Sequence, residues 1–69
     1  MDFVLISVED ALAFRAVDFR SILWLDSSSR YEMVLAVPEG GKTETWYLSK
    51  ERGLAVISAM RAWAASSRV

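Results

Sequence analysis

The stretch Tyr31-Glu32-Met33-Val34-Leu35-Ala36-Val37-Pro38-Glu39-Gly40-Gly41-Lys42-Thr43-Glu44-Thr45-Trp46-Tyr47-Leu48 decides the fold. Its middle, Ala36 to Thr43, matches a relaxed phosphate-binding loop in which Ala replaces the first Gly of G-x-x-x-x-G-K-[ST]. Such a loop must open a helix, because the amides of the first helical turn receive the phosphates. Here Thr43-Glu44-Thr45-Trp46-Tyr47-Leu48 alternates polar and apolar residues, which is a strand pattern. On the other side, Tyr31, Met33, Leu35 and Val37 form one face while Glu32, Val34 and Ala36 point away. Pro38-Glu39-Gly40-Gly41 is therefore a hairpin turn, and the sheet is antiparallel.

Working backward, Val17, Phe19, Leu23 and Leu25 share a face, with Ser21 as the exception. Asp18, Arg20, Ile22, Trp24 and Asp26 occupy the other, and Asp26-Ser27-Ser28-Ser29-Arg30 is a turn by composition. Asp2 to Val8 reads as a further strand, apolar on both faces apart from Ser7. Ser7-Val8-Glu9-Asp10 has capping-box spacing before Ala11-Leu12-Ala13-Phe14, which predicts a short helix, with a bend between two strands as the alternative. Working forward, Ser49 is an N-cap for a helix from Lys50 to about Ser66. Val56, Ile57, Met60, Trp63 and Ala64 cluster on one side of it, with Gly53 near the start of that side. Gly53 weakens the helix unless close packing against a strand requires it. The expectation is a two-layer α+β domain in the order β-α-β-β-β-α: an antiparallel sheet of about four strands with the C-terminal helix on one face. It forms a single compact domain over residues 1–69, with a frayed tail at 66–69.

Composition removes several functional classes. The chain has 69 residues, with neither Cys nor His. Zinc, haem and disulfide frameworks lose their usual ligands, and Ser–His or Cys–His catalysis loses its base. Lys and Arg number 8 against 9 Asp and Glu, a net charge of −1, so there is no basic surplus for a polyanion. The carboxylates sit in turns, at a helix start or alternating with Arg20, with no neighbour to make them acid–base catalysts. No catalytic residue, metal ligand, cofactor or small-molecule substrate is expected. The N-terminus lacks a basic leader segment and no stretch is long enough to span a membrane. The chain reads as a complete, cytoplasmic gene product, the absence of Cys fitting a reducing compartment.

Hydrophobic residues make up 54% of the chain and the mean hydropathy is +0.24. A domain this small exposes much of its surface, so the surplus predicts a homo-oligomer or an obligate protein partner. Two surfaces are candidates. On the outward sheet face, Ile22, Trp24, Val34, Ala36 and Tyr47 would form one patch rimmed by Arg20, Asp18, Glu32 and Thr45. Trp24 carries the most weight in that patch. On the exposed side of the helix, Ala55, Ser58, Ala59, Ala62, Ala65 and Ser66 carry no charge and would let a partner or second copy approach closely.

The order helix, three strands, helix resembles the double-stranded RNA-binding domain. That family places a basic cluster at the start of its last helix, whereas Ser49-Lys50-Glu51-Arg52-Gly53-Leu54-Ala55 has two cations and one acid. The leading expectation is a non-catalytic protein-binding module that inhibits or regulates a larger complex. Phages and mobile elements encode small inhibitors of this character, anti-CRISPR proteins among them, although no motif ties this chain to one of their families. The alternatives are a dimeric nucleic-acid-associated regulator, needing Arg15, Arg20, Lys42, Lys50 and Arg52 to converge, and a structural homo-oligomer subunit.

Overall fold

The computed structural model describes residues 3–38 and 40–66. The expected strand residue Asp2, the turn residue Glu39 and the tail at 67–69 lie outside the described residues. The elements are β1 (Phe3–Ser7), β2 (Leu12–Arg15), a single 3-10 turn (Ala16–Asp18), β3 (Phe19–Leu25), β4 (Arg30–Ala36), β5 (Thr43–Leu48) and α1 (Lys50–Ser66). The protein is a small α+β fold with two antiparallel sheets, β1-β2 and β3-β4-β5, and one C-terminal helix. Among the described residues no helix is long and apolar enough to cross a membrane.

The expected N-terminal helix is a correction. The local signal forms: the Asp10 N–H donates to Ser7 Oγ at 3.3 Å, and the Ser7 hydroxyl donates to Asp10 Oδ2 at 3.4 Å. It closes a turn, and Ala11 then takes a left-handed φ of 52° that stops any helix. Residues 12–15 instead pair with β1, placing Val4 opposite Phe14 and Leu5 opposite Ala13. One four-stranded sheet is thereby replaced by a hairpin and a separate three-stranded sheet. The likeness of element order to the double-stranded RNA-binding domain goes with the first helix.

The central hairpin forms as its residues dictate. Val37 N–H donates to the Lys42 carbonyl at 2.8 Å, Gly40 and Gly41 take positive φ, and Ala36 pairs with Thr43. The sequence after Lys42 is strand, so no helix N-terminus faces this loop.

A bulge changes which side of β3 faces inward. Phe19 pairs with Leu35 but Ser21 pairs with Val34, leaving Arg20 as the extra residue. Before the bulge Phe19 is inward; after it Ile22 and Trp24 are, opposite Met33 and Tyr31. Ser21, Leu23 and Leu25 move to the outer face. The Ser21 exception in the alternation was the trace of this shift.

The core joins both sheets and the helix. Val4, Phe14, Ala16, Met33, Leu35, Leu48 and Val56 are buried, with Met33 and Val56 fully so. Phe14 stacks on Phe19 and meets Trp46 edge-on, both at 6.3 Å, which locks the hairpin to the inner face of the larger sheet. Helix α1 begins where Ser49 caps it, its Oγ accepting the Arg52 N–H at 3.3 Å. Gly53 is buried against the Tyr31 ring; a Cβ there would stand under 3.0 Å from three ring carbons. That close approach is what the glycine is for.

Candidate protein-interaction surfaces

Three surfaces emerge from this packing. The first is the outer face of the three-stranded sheet. The N-terminal hairpin packs on the helix side, through Val4 and Phe14, and leaves this face open. Across its middle run Leu23, Glu32 and Tyr47, mutually opposite, with Ser21, Val34 and Thr45 forming the next row. Leu23 is 46% exposed and Tyr47 52%. The Arg30 guanidinium lies 4.0 Å over the centre of the Tyr47 ring, a cation–π contact between neighbouring strands on this face.

Of the residues expected on this face, Val34, Tyr47 and Glu32 are there, but Ile22 and Trp24 are not. Ile22 is half-buried on the inner face, packed against the core. Trp24 stays 38% exposed at the sheet margin, its ring 5.0 Å from Tyr31 and its indole N–H donating to Asp26 Oδ1 at 3.4 Å. The bulge at Arg20 is the physical reason, since one extra residue inverts every later side chain. Arg20 sits beside the bulge, its Nη1 donating to the carbonyls of Val17 and Phe19, both at 3.1 Å. Sequence reasoning missed Leu23 as the apolar centre of the outer face, and Ser21 was the signal that marked it.

The second surface is the helix. Ala55, Ser58 and Ala62 are exposed as expected, together with Leu54, Ala65 and Ser66. Ala59 is a correction: it is half-buried and packed against the core. Its small size does admit a neighbour, but that neighbour is β1 of the same chain, whose Phe3, Val4 and Leu5 lie beside it. Phe3 and Leu5 on β1 and Ala59, Ala62 and Ser66 on α1 line a shallow groove beside this contact. Phe3 and Leu5 are 62% and 61% exposed, so the groove has apolar walls open to solvent.

The third surface is a groove of about 340 Å³ between β3 and α1, lined by Phe19, Ile22, Ile57, Met60, Trp63 and Ala64 with Arg61 at its edge. It exists because the helix lies over β4 and β5 and scarcely reaches β3, the edge strand on the other side of β4.

No protein-family model, curated protein or solved structure matches the chain.

Some of the charge is used within the fold. The two cations at the wrong end of the helix dipole have an in-chain explanation in part, because Arg52 forms an ion pair with Asp10, the residue already bonded to Ser7. The pair ties the β1-β2 turn to the start of α1. Of the five cations a nucleic-acid groove would require, Arg20 and Arg52 are thus engaged within the chain. Among the described residues no three acidic side chains converge as a cation site.

Proposed function

We propose that this protein is a non-catalytic protein-binding module that docks through the open face of its three-stranded sheet and thereby inhibits or regulates a larger complex. The observation that carries this reading is the row Leu23, Glu32 and Tyr47 across that face, with Leu23 and Tyr47 each about half exposed and Arg30 stacked on the tyrosine. Tyrosine and arginine are enriched in binding hot spots: tyrosine offers a large contact area at little entropic cost and keeps a polar tip, and arginine adds a planar group that stacks and hydrogen-bonds. A sheet needs only one buried face to be stable, so an apolar second face calls for another explanation. Leu23 and Val34 supply the apolar floor, and Ser21, Thr43 and Thr45 a polar surround.

A photo-crosslinking amino acid at position 47 tests the reading in cells that make the protein, with the same group at the exposed helix position 54 as control. The expected result is a discrete protein adduct from position 47 that position 54 does not give. No adduct from position 47, or the same set from both, would overturn the reading.

A further inference from the structure

We propose that β3 is a self-complementary edge through which two copies pair, joining their three-stranded sheets into one of six strands. The claim concerns the sheet edge, not the sheet face, and does not depend on the docking role given to that face.

β3 has β4 on one side and, among the described residues, no strand on the other. An edge strand presents a row of backbone donors and acceptors to any strand that can reach it, and proteins usually guard such edges with charge, proline or a bulge. Here the bulge and Arg20 guard only the beginning. From Ser21 to Leu25 the strand reads Ser-Ile-Leu-Trp-Leu, with no charge and no proline. Leu23 and Trp24 remain exposed on opposite faces of this edge.

Around Leu23 the sequence is apolar at Ile22 and Trp24, sets Ser21 against Leu25, and is opposite in charge at its ends: Arg20, Ser21, Ile22, Leu23, Trp24, Leu25, Asp26. An antiparallel pair with its two-fold axis at Leu23 brings Arg20, the bulge residue, alongside Asp26 of the other copy in the turn after β3, where its guanidinium would exchange the Val17 and Phe19 carbonyls for the carboxylate. Ile22 then faces Trp24, a favourable cross-strand match of β-branched and aromatic side chains, and Leu23 faces its own copy. Centring the axis on Ile22 or Trp24 would place Arg20 against Trp24 or Ser28 and lose both charge pairs. Such an axis stands perpendicular to the sheet, so both helices fall on one side. The apolar grooves beside Phe19, Ile22, Ile57 and Met60 of the two copies then adjoin, and closing them removes apolar surface from water. A closed two-fold pairing also uses up the β3 edge of each copy, so no further copy adds through β3.

Charge exchange tests the register. Sedimentation equilibrium of the whole chain from about 1 µM to about 500 µM, at low ionic strength so that the pairs are little screened, should give a mass rising to twice 7.8 kDa. Arg20→Asp and Asp26→Arg should each weaken dimerisation at least about tenfold, because each sets like charges opposite at both ends. The double variant, with the charges exchanged, should recover most of the loss. Circular dichroism of each variant checks that the fold persists. A monomer throughout the range overturns the proposal. So does a dimer whose strength ignores the single variants, or one that the double variant weakens further, since it would then form through another surface such as the helix.

Discussion

Gly53 offers the sharpest test of the packing. Replacing it with alanine should stabilise an ordinary helix interior by about 1 kcal/mol, because alanine restricts the unfolded chain and loses no side-chain entropy. Here the new methyl would overlap the Tyr31 ring, with Cγ among the atoms nearer than 3.0 Å. Cγ stands only two bonds from the β4 backbone and on the axis about which the ring turns, so rotation of the ring cannot move it clear. Trp24 packs against the same ring at 5.0 Å and limits its movement further. Forced insertion of a methyl into a packed site costs about 1–3 kcal/mol, and this contact belongs at or above the top of that range. The net expectation is a loss of about 2 kcal/mol. With unfolding entropy of about 2.1 cal/mol/K per residue, a chain of 69 residues should lose about 14 °C in Tm. The assay is thermal and urea unfolding by far-UV circular dichroism, at a concentration low enough that self-association does not move the midpoint. In a Tyr31→Ala background the sign should reverse, and Gly53→Ala should become stabilising by up to about 1 kcal/mol. A Gly53→Ala protein that melts above the parent would refute the claim that close packing on Tyr31 demands the glycine.

Other expectations follow from particular contacts. Ser49→Ala removes the acceptor of the Arg52 N–H and should cost about 1 kcal/mol in urea unfolding, while Ser49→Asp should preserve the cap and most of the stability. Ala59→Glu should destabilise the fold by more than about 1 kcal/mol, because the carboxylate would enter the contact between α1 and the core. Ala62→Glu, on an exposed position, should leave Tm almost unchanged. Met33→Ala empties a fully buried site at the centre of the sheet and should cost about 2–5 kcal/mol, enough to leave a domain this small largely unfolded by circular dichroism at room temperature.

Much of the fold is legible in the residues because the deciding signals are local. The alternation through Tyr31, Met33 and Leu35 and the Gly40-Gly41 turn require strand, turn, strand whatever surrounds them. Ser49 marks the helix start, and the period of Val56, Ile57, Met60 and Trp63 marks the side it buries. Gly53 announces a close approach before its neighbour is known. The candidate site was legible only in part: Val34, Glu32 and Tyr47 lie on the outer sheet face, whereas Ile22 and Trp24 belong to the inner one.

What the sequence determined by itself is thus the antiparallel hairpin, the terminal helix, and an apolar content that a chain of this length struggles to cover. Three matters were decided only by the tertiary structure. The turn at Ser7 to Asp10 serves equally as a helix cap or a hairpin bend, and the choice falls to Phe14, which gains Phe19 and Trp46 as neighbours only if residues 12–15 pair with β1. The faces of β3 depend on where its extra residue is accommodated, and the pairing with Leu35 and Val34 places it at Arg20. Ala59 looks like the rest of the small-residue stripe until β1 arrives beside it. In each case the local energies of the alternatives are close, and burial of a side chain distant in sequence, worth about 1.5–3 kcal/mol apiece, settles the outcome.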